Sequence, residues 1–288
     1  MSAPASELAA SHPSPADRSQ SQTPTLEKLH LIAHEGPQPP VIAVDLDDVL
    51  AQTNRSVAEW HNEVYGTDMT VDDFLYYYYW KNRYWGSPKE TADKVAEYYK
   101  SKRIFQTEVV PGAAEGTQAL KDMGFRLLIV TARNPDQADA SWQWVETHYP
   151  GIFDSIVCTG QFKNATKNEH EVVTKLSKAE VCAGLGAKVL IDDSSENALQ
   201  VATATHLPHR THVLLFGEYE WNKRISSGED AKAEMVFEER LKRENGREFW
   251  KDEHLEDIIP SGAPLTRVRN WDEVVAWVRA HFELMTRK

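Results

Sequence analysis

Val41-Ile42-Ala43-Val44-Asp45-Leu46-Asp47-Asp48-Val49-Leu50 is the stretch whose reading decides the fold. Four apolar residues, three of them β-branched, run directly into acids at 45, 47 and 48. A short apolar run without polar alternation is the pattern of a strand buried on both faces, as in a parallel sheet. The same grammar recurs along the chain. Residues 126–130 run into Thr131, 188–191 into Asp192-Asp193, and 211–216 into Gly217. Residues 155–158 are a shorter candidate, and 264–268 read as a last short strand.

Helical stretches separate these runs. Residues 114–123 precede the second strand, with Gly124 as a C-terminal stop. Residues 136–149 follow that strand and end at Pro150, 178–185 lead into the Asp-Asp strand, and 271–282 read as an amphipathic helix. Strands alternating with helices predict an α/β fold with a Rossmann-like parallel sheet core. Residues 54–106 break the alternation. They contain no convincing strand and are expected to form helices over 55–65, 71–80 and 88–102. Lying straight after the first strand, they read as an inserted helical cap, dense in rings such as Tyr76-Tyr77-Tyr78-Tyr79-Trp80. Most of those rings are expected to be packing within the cap.

The expected organisation is a disordered tail over 1–38, an α/β core over 39–53 and 107–288, and the helical cap over 54–106. The tail is Ser/Pro/Ala-rich and nearly free of aromatics, so it cannot bury enough apolar surface to offset chain entropy. Within the core, 218–262 reads as a charged surface excursion with helical pieces.

The net charge of −12 opposes binding to a phosphate polymer, so no nucleic acid polymer is expected as a partner. A small phosphorylated substrate is compatible, because local charge in a pocket can oppose the global sign. No apolar run approaches the roughly 20 residues needed to cross a bilayer, so no membrane partner is expected. The N-terminus lacks a secretory pattern, and its acids make it a poor mitochondrial transit peptide. Cys158 and Cys182 lie in apolar stretches and read as buried thiols, not a disulfide. A cytoplasmic location is the expectation.

The acids and hydroxyls cluster at strand ends, the edge where open parallel sheets bind ligands. Asp45 at a strand tip can attack phosphorus, and Asp47, two residues on, can serve as general acid and base. Asp-x-Asp alone is weak evidence, and by itself reads first as a solvated acidic turn. Asp192-Asp193 are two adjacent acids that are costly to hold together without a cation, and Mg²⁺ favours such hard oxygen ligands. Thr131-Ala132-Arg133 offers a hydroxyl and backbone N–H groups to phosphoryl oxygens. Lys178, at the start of the helix before Asp192, can neutralise charge there, although Lys163, Lys167 and Lys175 compete nearby.

Taken in order, Asp45-x-Asp47-x-Val49, Thr131, Lys178 and Asp192-Asp193 resemble the four motifs of the haloacid dehalogenase superfamily of phosphohydrolases over about residues 41–217. The resemblance implies Asp45 as nucleophile and Asp47 as general acid/base. It implies Thr131 and Lys178 as phosphate-binding residues, to which the strand-tip reading adds the backbone of Ala132 and Arg133. It also implies Mg²⁺ held by Asp45, the Asp47 backbone carbonyl and an acid of the Asp192-Asp193 pair. The Asp-Leu-Asp-Asp-Val-Leu start and Val110-Pro111-Gly112-Ala113 look like the 5′(3′)-deoxyribonucleotidase branch, whereas Thr131-Ala132-Arg133 departs from that branch's usual Thr-Ser. The expected activity is Mg²⁺-dependent hydrolysis of a small phosphate monoester, a nucleoside monophosphate being one candidate. A catalytically silent binding or scaffold protein is the alternative from another class. Carbon–halogen hydrolysis is disfavoured by Asp47 and the Asp-Asp pair.

Overall fold

The computed structural model describes residues 39–159, 171–173, 176–226 and 232–286. The tail expected at 1–38, along with Lys163, Lys167 and Lys175, lies outside them.

The chain forms β1 (Val41–Val44), α1 (Thr53–Tyr65), α2 (Pro88–Ser101), α3 (Ala113–Asp122), β2 (Arg126–Thr131) and α4 (Ala138–His148). There follow β3 (Ser155–Cys158), β4 (Glu171–Val173), α5 (Lys178–Leu185), β5 (Val189–Asp192), α6 (Ser195–Ala202) and β6 (His212–Phe216). The chain closes with α7 (Phe237–Arg243), β7 (Leu265–Val268), α8 (Trp271–Ala280) and α9 (Phe282–Thr286). The seven strands make one sheet in the order β4-β3-β2-β1-β5-β6-β7, and every pair is parallel. The predicted α/β parallel core is therefore present. The edge strand β4 was not anticipated, because three residues are too few to show a period.

β1 lies at the centre because both its faces are apolar. Ile42 and Val44 enter one core with Phe125 and Trp271, while Val41 and Ala43 enter the other with Leu185 and Val201. This is the two-residue alternation of a strand. Burying such side chains contributes about 1.5–3 kcal/mol for each Val or Ile, which fixes the register of β1 between its neighbours. Val44 stands opposite Ile129 of β2 and Ile191 of β5. From β1 the chain builds outward to β4, then returns to lay β5 on the other side. That reversal is a topological switch point, and it opens a crevice at the carboxyl ends of β1, β2 and β5.

The helical stretch after β1 differs from expectation in its middle. In place of a helix over 71–80 there are two short 3₁₀ turns, Val71–Asp73 and Tyr79–Lys81. The buried Asn82 explains it. Its Oδ1 accepts from the Tyr76 N–H at 2.9 Å, and its Nδ2 donates to the Tyr76 and Tyr78 carbonyls at 2.8 and 3.2 Å. A side chain that takes these backbone groups replaces the helical ladder. The consecutive rings then diverge. Tyr76 packs with Phe237 and Phe249, Tyr78 stacks on Trp80, and Tyr79 lies against Phe74 and Trp85.

The stretch expected as a charged surface excursion is partly interior. Trp221, Phe237, Phe249 and Leu255 are buried, and Trp221 joins Val57, Trp60, Phe74 and Trp85 in one cluster. Ion pairs such as Arg247–Asp252 and Lys251–Glu248 occupy its outer side, which is why its composition reads as solvated.

α8 supports the crevice from beneath. Its buried Trp271 donates Nε1–H to the Val49 carbonyl at 3.0 Å, and it can lie close because Gly116 of α3 has no side chain. A Cβ there would stand 2.5 Å from Trp271 Cε3. Overpacking of a filled core costs about 1–3 kcal/mol, so Gly116→Ala is expected to lower the chemical-denaturation midpoint by a corresponding amount. An unchanged midpoint would show that Trp271 is free to move aside.

Candidate active site

Three strand tips supply the side chains that meet in the crevice. At the end of β1, the Asp45 N–H extends the ladder to the Ile191 carbonyl at 2.9 Å. The chain then turns sharply through Asp48, whose φ of 55° is left-handed. That turn is held by its own side chain: Asp48 Oδ1 accepts the Asn54 N–H at 3.0 Å, at the start of α1. The third acid of the opening motif thus fastens the loop to the helix.

Asp45 is buried, with Oδ1 accepting the Leu46 N–H at 2.7 Å and Oδ2 paired with Lys178 Nζ at 2.9 Å. The same ammonium reaches Asp192 Oδ2 at 2.7 Å. Lys178 arrives there because Ser177 and Glu180 form a capping box that starts α5 at this residue. Asp192 is further held by the Ser194 N–H at 3.0 Å. Asp193 accepts from Trp221 Nε1 at 2.7 Å. Asp45, Asp192 and Asp193 each place a carboxylate oxygen within 4.8 Å of the others.

The electrostatics of this group are one-sided. Three buried carboxylates face one buried ammonium. Burial, with Asp192 and Asp47 adding to it, pushes the Asp45 carboxyl up to about 7 against the opposing pull of Lys178. Burial, together with Asp45, Asp48 and Asp192, raises Asp193 well above the carboxylate range. For Lys178, burial works to lower the ammonium, and the charges of Asp192 and Asp45 outweigh it and hold the proton on. A cluster of hard oxygens that is short of positive charge is the donor set a divalent cation satisfies, so the residues present fit one.

Asp47 sits apart from that cluster. Its carboxylate takes a two-pronged contact from Arg133, with Nη2 at 2.7 Å and Nε at 3.0 Å, and a hydrogen bond from the Thr53 hydroxyl. Burial works to raise this carboxyl, but Arg133 outweighs it and keeps Asp47 below the usual range. At the tip of β2, the Thr131 hydroxyl is buried and accepts the Arg133 N–H at 3.2 Å, while Ala132 is exposed. The structure therefore gathers Asp45, Lys178, Asp192 and Asp193 in one group and sets Asp47 with Arg133 beside it. The Arg133 guanidinium is engaged with Asp47.

Above these tips lies a cavity of about 300 Å³. Asp45, Asp47, Asp193 and Arg133 line its floor, and Tyr77, Tyr78, Tyr79, Trp80, Tyr99 and Trp221 contribute walls. Trp221 was not anticipated, nor was Tyr219, whose ring stacks on it with centroids 4.2 Å apart and whose hydroxyl donates to the Asp48 carbonyl at 2.8 Å. The only signal in the sequence was two aromatics set among the polar and charged residues of 218–224.

A sequence model of the family described as "5' nucleotidase, deoxy (Pyrimidine), cytosolic type C protein" matches residues 39–233, which include every strand tip of this site. The chain belongs to this family. As a cytosolic type C 5′-nucleotidase family member it is a haloacid dehalogenase superfamily phosphohydrolase, in the phosphoric monoester hydrolase class. No curated protein matches the sequence. Solved structures similar to this family member include a predicted phosphatase from Clostridium acetobutylicum, 17% identical over 85% of this chain and 100% of that one, with a TM-score of 0.46. A HAD family hydrolase from Deinococcus radiodurans R1 with bound phosphate and sodium is 15% identical over 88% and 100%, with a TM-score of 0.46. Protein Tyrosine Kinase A of Mycobacterium tuberculosis is 14% identical over 88% and 100%, with a TM-score of 0.49. Likeness at this level carries no argument about activity.

Proposed function

We propose that the protein is a Mg²⁺-dependent phosphatase of a small phosphate monoester, a nucleoside monophosphate, acting through a phosphoryl group carried on Asp45. The observation that carries this reading is the buried Asp45 carboxylate, held by Lys178 beside Asp192 and Asp193 on the floor of an aromatic-walled cavity.

Arg133 keeps Asp47 ionised in the free protein; the negative phosphoryl group entering beside it favours uptake of a proton from solvent. Asp45 then attacks phosphorus as the ester P–O bond breaks, and Asp47 gives that proton to the departing alkoxide. Asp47, now a carboxylate, takes a proton from the water that attacks the aspartyl phosphate. The P–O bond to Asp45 then breaks, leaving inorganic phosphate and restoring both acids. Lys178, the Thr131 hydroxyl and the Ala132 N–H bind the phosphoryl oxygens, the Arg133 N–H being taken by Thr131. Asp45, the Asp47 carbonyl and the Asp192-Asp193 pair would hold Mg²⁺, which supplies charge neutralisation and in-line orientation of the phosphoryl group. The family's description favours a nucleoside as the leaving group and a cytoplasmic location. So do the cavity's rings, since stacking on a base contributes about 1–3 kcal/mol per base. Among the described residues no helix is long and apolar enough to cross a membrane. Residues 54–106 serve as the cap that closes over the substrate and excludes water.

Turnover of a panel of nucleoside monophosphates and sugar phosphates, with Mg²⁺ or with excess chelator, tests the reading. Phosphate release that requires Mg²⁺ and is fastest with a nucleoside monophosphate is expected. Equal rates in chelator would overturn the metal assignment, and a sugar phosphate as best substrate the nucleotide one.

Trp221 bears on the same metal. Partners that orient a ligating group typically matter 10- to 100-fold in metal affinity, so Trp221→Phe is expected to weaken Mg²⁺ binding by about that factor in calorimetry. Excess Mg²⁺ should then restore most of the rate. Unchanged affinity would mean that Asp193 needs no indole to hold its place.

A further inference from the structure

We propose that Arg133 is a positioning residue for Asp47: its buried guanidinium fixes the plane of the carboxylate that exchanges the proton with the leaving group, and it does not bind the phosphoryl group through that guanidinium. The inference rests on the acid/base reading of Asp47 given above.

Each nitrogen of the guanidinium has a partner. Toward Asp47 it makes a fork, Nη2 to Oδ1 at 2.7 Å and Nε to Oδ2 at 3.0 Å. Behind it, Nη1 donates to the hydroxyl of Ser141 on α4 at 3.0 Å, and Ser141 is fully buried. At its root, the Arg133 N–H is bonded to the Thr131 hydroxyl at 3.2 Å, tying the turn to β2. The Arg133 side chain is 1% exposed, while that of Asp47 is 29% exposed. The carboxylate thus has a gripped side and an open side, and the open side lines the cavity. Thr53 completes the grip by donating to Oδ1.

Three of the five guanidinium N–H groups are spent on this fork and on Ser141, and any movement of the group toward a phosphate would undo the fork. Breaking a buried ion pair typically costs about 3–5 kcal/mol, and it would also strand the Ser141 hydroxyl in the interior. A carboxylate free to rotate about its side-chain torsions seldom points an oxygen at one ester oxygen, and a proton donor acts only within hydrogen-bond reach. A planar two-pronged donor sets both the position and the plane of its partner, which a lysine ammonium cannot do.

The signature of such a role is sensitivity to the leaving group. An alkoxide, as from a nucleoside 5′-monophosphate, needs a proton as it departs, whereas p-nitrophenolate does not. Positioned proton transfer contributes about 10²–10⁴-fold, so Arg133→Lys is expected to lower kcat on the alkyl ester about 100-fold or more. On p-nitrophenyl phosphate it should lower kcat far less, with KM and inhibition by inorganic phosphate nearly unchanged. In an Asp47→Asn background the same substitution should add almost nothing. Equal losses on both esters, weakened inhibition by inorganic phosphate, or full additivity with Asp47→Asn would each overturn the proposal. Ser141→Ala keeps both charges and frees only the far end of the guanidinium. If Arg133→Lys does not fold, Ser141→Ala is expected to show the same split at smaller size, and a uniform effect there would count against it. Asp45→Asn assayed alongside separates the two failures. Turnover that survives in that variant defeats the function proposed above, whereas its loss with no leaving-group split defeats only the role given to Arg133.

Discussion

Asp45→Asn is expected to turn over phosphate monoesters on the order of 10⁶-fold more slowly than the parent, the scale on which loss of a covalent nucleophile is felt. The fold should hardly notice the change. The amide is nearly isosteric with the carboxylate, and its oxygen can still accept the Leu46 N–H. Lys178 loses one partner but keeps Asp192 at 2.7 Å. One negative charge also leaves a site where burial and neighbouring acids already push the Asp45 carboxyl up to about 7. Initial rates at saturating substrate, together with thermal melting, separate chemistry from stability. Undiminished turnover with an intact fold would remove Asp45 from the mechanism.

Lys178→Met should show the opposite pattern, with stability lost as well as activity. The ammonium is the shared partner of Asp45 and Asp192, and all three groups are buried. Removing one member of a buried ion pair costs about 3–5 kcal/mol, because the charge left behind has neither water nor partner. For a chain of this size that is a fall of melting temperature on the order of 10 °C. The deficit should shrink as pH is lowered, since protonated carboxyls need no cation. It should also shrink when Mg²⁺ is added, because a ligand at 100 times its dissociation constant stabilises by about 2.7 kcal/mol. A variant that melts with the parent would mean the acids are not held as charges, and the argument for a divalent cation would lose its basis.

What the sequence disclosed follows a physical division. β1, β2, β5 and β6 are apolar on both faces, and a run of β-branched residues shows itself without context. The tips of those strands inherit their position from the sheet, so Asp45, Thr131 and Asp192 could be placed once the strands were found. Order along the chain also singled out Lys178, since a helix that opens just before a strand presents its first residue near that strand's tip. The misses depend on contacts far apart in sequence. Nothing in Tyr76-Tyr77-Tyr78-Tyr79-Trp80 reveals that Asn82 will take its backbone groups and unwind the expected helix. Nothing near Asp193 reveals a tryptophan 28 positions on. The sequence around Arg133 points only to its backbone, and the bond of its guanidinium to Asp47, 86 residues away, becomes visible only when β1 and β2 are side by side.

The loop that follows β1 is fastened by residues much later in the chain. Tyr219 holds the Asp48 carbonyl across 171 positions, and Trp271 holds the Val49 carbonyl across 222. A ribosome therefore makes the reactive loop early and its fastenings late. Long-range pairing of this kind folds slowly, and until those residues are made the loop rests on nearer holds such as Asp48 to the Asn54 N–H. Every acid of the site, up to Asp193, is therefore synthesised before either the Tyr219 or the Trp271 hold exists.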